Sequence, residues 1–338
     1  MIIKIIESID FSSDSQNKIL AVENLLKAHG EGKHHVWMPI GVVQELSRVQ
    51  ELGYFSKRVL DELIGQVNER RFIHADFLFY ACVGFEDKHR LQFLDGVLHI
   101  GYHHLIDSSS TQESILLTEN DLDGEAFLWG AKTYLHKHKL SSLNITLEIQ
   151  PGGGNTTVNS FNRLSRGKRF FACIIDSDKE HPKASLGTTA KRFNKVNQGF
   201  EGKWYFEILK HHEIENLIPF SIIKSVAGDL CKNGYVFDPE FYSYRVYPDH
   251  KMGLDLKQAA SHDRDHGDDY WSCFSGLETE SVICPKFGDD LLRRSVDFMS
   301  TLSPKTAIQH IDDNFDSEWM RISKLVASWG VGGRGLRS

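Results

Sequence analysis

The chain has 338 residues, 41% hydrophobic and 25% charged, the proportions of an ordinary globular protein with room for two domains or one elaborated domain. No apolar run approaches the ~18 residues of a membrane span, which excludes an integral helical membrane protein. The formal net charge of −7 excludes a nonspecific polycation that coats nucleic acid, while leaving room for a local basic groove. The opening Met1-Ile2-Ile3-Lys4-Ile5-Ile6-Glu7 reads as a first strand, too short in its apolar part for a secretory leader. Cys82, Cys173, Cys231, Cys273 and Cys284 are scattered without Cys-x-x-Cys spacing, so neither a disulfide framework nor a structural zinc is indicated. A cytoplasmic protein with reduced thiols and no membrane partner is expected.

Residues 1–108 read as an N-terminal α/β accessory unit. Ile19, Leu20, Val22, Leu25 and Leu26 recur at helical spacing after Ser15 and before Gly30. His35-Val36-Trp37-Met38 is a strand leading through Pro39 into a helix around Val42, Val43, Leu46 and Val49, and a further helix covers Ser56 to Val67. Phe72 to Val83 is strand-like, and the apolar positions between Leu91 and Ile100 suggest another helix. The order strand, helix, strand, Pro, helix with Glu45 loosely resembles PIN-type ribonucleases, with Asp10 the candidate for the early Asp that such a pattern needs.

Residues 109–220 carry the chemistry. Ile115-Leu116-Leu117-Thr118 is a short buried strand ending at Glu119, and a helix begins at once, with Asp121 and Asp123 in the first turn where the helix dipole favours acids. After a strand over Asn144 to Ile149, Pro151-Gly152-Gly153-Gly154-Asn155 precedes a helix. Such a turn either lets backbone N–H groups of Gly153 and Gly154 approach a phosphate or is simply flexible. Phe170-Phe171-Ala172-Cys173-Ile174-Ile175 reads as a strand buried on both faces that ends in two carboxylates one residue apart, Asp176 and Asp178. Ligands collect outside the carboxyl ends of strands in α/β sheets, and two hard oxygen donors there suit Mg2+ or Mn2+. The following polar segment offers Lys179, Lys183, Lys191 and Arg192 either as a phosphate-facing rim or as a solvated surface. Trp204 to Leu209 is the next strand. His211 and His212, placed at its end, would point to opposite faces and so could not both join one site.

Glu119 with Asp123 four residues on, the Gly-rich turn before a helix, Asp176-Ser177-Asp178 after a second buried strand, and Glu213-Ile214-Glu215-Asn216 after a later one together resemble the Toprim domain. More narrowly, they are similar to the Toprim of overcoming-lysogenization-defect nucleases and related stand-alone bacterial defence nucleases, over Ile115 to Pro219. The resemblance implies a Toprim-like, Rossmannoid parallel sheet flanked by helices. It implies divalent metal, Mg2+ or Mn2+, on Glu119, Asp176, Asp178 and Glu215, with Asp123 helping to fix the site. The activity implied is metal-dependent cleavage of DNA or RNA, including transfer RNA. That family has Gly after its Glu where this chain has Asn120, a residue expected to carry the same left-handed turn. No Gly-x-x-x-x-Gly-Lys-Ser/Thr signature occurs, so any ATPase is expected on a separate chain. A partner sensor or a homo-oligomer would then control the nuclease. The alternative is a regulatory subunit in which a degenerate Toprim fold docks an ATPase. Charge physics supports the enzyme independently, because several carboxylates at one sheet end repel unless cations neutralise them.

Residues 221–338 are expected to be mainly helical: Ile222, Ile223, Val226 and Leu230 mark one helix, Leu291 to Met299 another, and Ser317 to Gly330 a last one. His262-Asp263-Arg264-Asp265-His266-Gly267-Asp268-Asp269 reads as a solvated loop, and the glycine-rich Gly330 to Ser338 as a mobile tail.

Overall fold

The computed structural model describes residues 1–278 and 280–336, and it is an α/β protein with two mainly parallel five-stranded sheets flanked by helices. Among the described residues no helix is long and apolar enough to cross a membrane.

Strands Ile2–Lys4 (β1), His35–Trp37 (β2), Tyr80–Gly84 (β3), Leu91–Leu94 (β4) and Val97–Gly101 (β5) form the first sheet in the order β2-β1-β3-β5-β4, parallel except for β4. Helices Ser15–Gly30 (α1), Ile40–Ser47 (α2) and Tyr54–Gln66 (α3) make its crossovers. The helix expected over Leu91 to Ile100 is instead the β4–β5 hairpin. Asp95 (φ 49°) and Gly96 (φ 77°) both take the left-handed backbone that a two-residue hairpin turn requires, and Leu94 pairs with Val97 across it. The alternation of more and less buried residues on both sides of Asp-Gly is a period of two, which an apolar count read at helical spacing misses.

The second sheet is built from Ser114–Thr118 (β6), Leu147–Pro151 (β8, preceded by the two-residue strand Asn144–Ile145, β7), Phe171–Ile175 (β9), Gly199–Glu201 (β10) and Trp204–Ile208 (β11). Its order is β10-β11-β9-β6-β8, parallel except for β10. Helices Asp121–Lys137 (α4), Thr157–Arg166 (α5) and the short Thr188–Lys191 (α6) connect the parallel strands. Strands β6 and β9 are buried at every position because alternate side chains serve two cores. Ile115, Leu117, Phe171, Cys173 and Ile175 pack with Phe161, Phe193 and Phe206 on one face. Leu116, Ala172 and Ile174 belong to the main core on the other.

The main core runs without a break through all three segments of the chain. Phe200 stacks on Phe93 of the first sheet with ring centroids 3.8 Å apart, and Phe79 meets Trp329 at 4.9 Å. Trp329 lies on the last of the C-terminal helices, which are Phe220–Ala227 (α7), Leu256–His266 (α8), Leu291–Thr301 (α9), Pro304–Gln309 (α10) and Ser317–Gly330 (α11); α8 is flanked by the short strands Leu254–Asp255 (β12) and Val282–Cys284 (β13). The stretch His262 to Asp269 is therefore not a loop in its first half. Asp255 and Gln258 cap the start of α8 reciprocally, and Gly267 (φ 57°) closes its end. Nor does the chain project after Gly330. Val331–Gly332 (β14) pairs with β7, and Leu336 N–H donates to Gly30 O at 2.7 Å; Arg337 and Ser338 lie outside the described residues.

Candidate metal centre

Strands β11, β9 and β6 are neighbours in the second sheet and run in one direction, so their carboxyl ends deliver three acidic turns side by side. Glu119 follows β6. The turn after β8 holds its backbone, because Gly153 N–H donates to the Glu119 carbonyl at 2.9 Å and Gly154 N–H lies at 3.4 Å. These two N–H groups, candidates for phosphate binding, are thus occupied in positioning Glu119. Asn120 is extended at φ −139° rather than left-handed. It works as a helix cap, its side chain accepting from Asp123 N–H (3.2 Å) while Asp123 Oδ2 accepts from Asn120 N–H (3.1 Å). Capping consumes one oxygen of Asp123 and leaves Oδ1 buried without a partner.

Asp176 follows β9, and its N–H donates to Glu119 Oε1 at 3.3 Å. Asp178 adopts φ 52°, a left-handed conformation that Asp tolerates better than most residues. Its N–H donates to His212 O at 2.9 Å, and Ser177 Oγ donates to His211 O at 2.6 Å, so the turns after β9 and β11 are fastened together. His211 and His212 both lie beyond the end of β11, so the face rule of a strand does not separate them.

After β11, Glu213 and Asn216 cap a single helical turn that contains Glu215. Asn216 Nδ2 donates to Arg245 O and Pro248 O, each at 2.8 Å, and Arg245 donates back to Glu215 O and Ile218 O. This clamp brings in two side chains that sequence spacing does not indicate, Asp249 and Lys251. Lys251 Nζ sits 2.8 Å from Glu213 Oε1 and 3.3 Å from Glu215 Oε1. Asp123, Asp176, Glu215 and Lys251 line one cleft of about 360 Å³, together with Asn120, Asp289 and Arg293.

The cleft is an electrostatic problem for the protein without ions. Asp123 and Glu215 are 4% and 2% exposed. Burial, aided by Asp178 and Glu213, pushes the Glu119 carboxyl up to about 7. Burial, aided by Glu215 and Glu119, does the same for Asp123, also to about 7. Asp176 is held well above the usual carboxylate range by burial and by Asp123, Glu215, Glu119 and Glu213. Burial raises Asp178 and Glu215 too, each with Glu213 as the main repelling charge. Burial works against the charge on Lys251, but Glu215 and Glu213 outweigh it and hold its pKa above the ordinary lysine value. One ammonium therefore faces six carboxyl groups, a set that ionises together only with added positive charge.

A first prediction follows from Gly187, whose N–H donates to Ser177 O at 2.8 Å. A Cβ at this position would stand 1.9 Å from Asp178 Oδ2. Gly187→Ala must displace the Asp178 carboxylate or its turn, and is expected to lower metal-dependent activity by roughly 10-fold or more at a stability cost of about 1–3 kcal/mol. Kinetics and a melting curve on the purified variant measure both, and an unchanged rate would show that Asp178 has no part in the reaction.

Compared with known proteins, the chain matches no family model, no curated protein and no solved structure. The site accordingly stands on its own geometry. Asp123, Asp176 and Glu215 share the cleft, with Glu119 bound to the Asp176 backbone and Asp178 beside Glu213 and Lys251 in charge terms. The basic rim is divided. Lys191 and Arg192 are exposed, whereas Lys183 pairs with Asp268 at 2.9 Å and Lys179 donates to Pro182 O. Asp268 and Asp263 also meet the buried His181 at 3.6 and 3.1 Å, so the end of α8 pins the segment after Asp178. A larger cavity of about 560 Å³ lies beside the first sheet and includes Asp10, while Glu45 is exposed on α2 and takes no part in it. Its polar groups are largely paired: Asp10 accepts from Ser12, Asp14 from Tyr102 and Asn17, and Lys18 donates to Asp10 O. The cleft with uncompensated acids is the stronger candidate for chemistry.

Proposed function

We propose that the chain is a divalent-metal-dependent nuclease of the Toprim-like type, with Asp123, Asp176 and Glu215 as the centre of its metal cleft and Glu119 and Asp178 flanking it. The observation that carries this reading is the convergence, from the ends of three adjacent parallel strands, of buried acids that outnumber the two cations beside them, Lys251 and Arg293. The donors fit the ion: Mg2+ is held by one or two carboxylates and keeps several waters or substrate phosphates, so an open cleft with unpartnered Asp123 Oδ1 suits it better than a closed protein cage. When bound, such an ion supplies a Lewis acid and an activated water for phosphodiester hydrolysis. The chain's own contribution is to hold the acids rigidly through the Gly153–Glu119, Asp178–His212 and Asn216–Pro248 bonds, and to aim Lys251 and Arg293 at the same space. Lys191, the last residue of α6, and Arg192 just after it are exposed and free to meet a phosphate backbone.

The substrate class is tested by incubating the purified chain with supercoiled plasmid, linear duplex DNA and transfer RNA in parallel, each with Mg2+, Mn2+ or chelator. Chelator-sensitive cleavage of at least one is the expected result, and inertness toward all three in the presence of a separately supplied ATPase partner would argue for a docking subunit instead. Gating by such a partner belongs to the same proposal; unrestrained cleavage by the isolated chain would remove it.

A further inference from the structure

We propose that His212, Glu213 and Asp249 form a second metal station, chemically distinct from the all-carboxylate cleft, which takes a divalent first-row transition ion and ties the segment 245–251 to the catalytic sheet. One ring nitrogen of His212 and one carboxylate oxygen each of Glu213 and Asp249 lie within 4.8 Å of one another. Ligands held about 2.0–2.2 Å from a shared ion in cis or tetrahedral positions stand roughly 3–3.6 Å apart, so an ion would need to draw the three side chains together by up to about an ångström or slightly more. Among the described residues this is the set of three that closes so far; the cleft acids do not.

A second observation points the same way without reference to acid clustering. His212 is 5% exposed and its Nδ1 has no hydrogen-bond partner, and Glu213 Oε2 is buried and equally without one. A buried polar atom left open costs the fold its full desolvation, and here two belong to neighbouring residues of the same cluster. The remaining oxygens are already committed in ways that set the ligands in place. Glu213 Oε1 receives Lys251 at 2.8 Å, and Asp249 Oδ1 receives the N–H groups of Lys251 and Met252 at 2.7 and 3.0 Å. Each carboxylate thus keeps one oxygen available. An imidazole with two carboxylates suits zinc, iron or manganese, whereas magnesium favours oxygen alone and gives up its waters reluctantly. Because Asp249 comes from beyond the sheet, an ion here would cross-link the turn after β11 to the 245–251 segment, the segment that carries Lys251 to the cleft. The proposal needs only this geometry and does not depend on the nuclease reading.

The test is pulsed electron paramagnetic resonance of Mn2+ added alone to the chelator-treated full chain carrying Asp176→Asn, which disables the cleft and leaves this station intact. Nitrogen modulation from a directly bound imidazole is expected, and it should disappear in His212→Gln on the same background. Asp249→Asn, which keeps the turn's hydrogen-bond acceptor, should weaken Mn2+ binding by roughly 10-fold or more. Oxygen-only signals in the parent, nitrogen modulation that survives His212→Gln, or unchanged Mn2+ affinity in a folded Asp249→Asn protein would each overturn the proposal. If His212→Gln does not fold, the parent spectrum and the Asp249→Asn affinity still decide it.

Discussion

Asp176→Asn is expected to lower metal-dependent cleavage by roughly 10²–10³-fold while leaving the metal-free protein as stable as the wild type or more so. The two effects have one cause. Burial holds the Asp176 carboxyl well above its ordinary range, and Asp123, Glu215, Glu119 and Glu213 all add to the opposition to its ionisation. The amide has nearly the same shape but carries no charge, so it relieves the repulsion and removes a ligand together. A variant that lost activity by misfolding would lose stability as well, which separates the explanations. Cleavage rate and melting temperature measured on one preparation test this, and wild-type cleavage in a folded Asp176→Asn protein would remove Asp176 from the site.

The stabilisation that Mg2+ or Mn2+ adds to the protein is expected to grow as pH rises from about 4 to about 7, because the cleft acids cost the metal-free fold stability as they ionise. Glu119 has an ordinary value of 4.5 and Asp123 one of 3.8, and both stand at about 7 in the fold. Between those limits the folded chain keeps protons that the unfolded chain has already released. The contribution of these two acids therefore falls as pH climbs through the window, while the buried Met1 amino group and His29, which burial holds down at about 4, contribute in the opposite sense with or without metal. Glu119 alone accounts for on the order of 3 kcal/mol of the acids' loss, or roughly 5 °C in melting temperature. The restoring ion acts because it binds the ionised folded site and not the unfolded chain. Melting curves across this range, with and without metal, check it; a difference between the two that stays flat or shrinks as pH rises would show that ionisation of the cleft acids is not what the ion compensates.

The parts of this arrangement that were legible in the sequence are those set by local burial. Strands β6 and β9 announce themselves because both faces are buried, giving uninterrupted runs such as Phe171 to Ile175 that end at an acid. Asp123 is legible for a second reason, since the same residue that faces the cleft also caps α4 with Asn120. The β4–β5 hairpin is marked locally by Asp95-Gly96, yet its apolar residues also fit helical spacing, and only their period of two separates the alternatives. Asp249 and Lys251 have no local mark at all. They reach the site through bonds from Asn216 to the carbonyls of Arg245 and Pro248, contacts made 29 and 32 residues apart in the chain, which no spacing rule encodes. The end of α8 was hidden similarly, because its charged residues look solvated until His181 and Lys183 are placed against Asp263 and Asp268.

The central claim is that the acids after β6, β9 and β11 hold a divalent ion that supports phosphodiester cleavage. Its most direct test is the rate of nucleic-acid cleavage by the chelator-treated chain as Mg2+ or Mn2+ is titrated back. Cleavage absent without metal and rising to saturation with it, in the wild type but not in Asp176→Asn, is the result this structure predicts. Cleavage that proceeds undiminished in excess chelator, or that returns equally in both proteins, would contradict it.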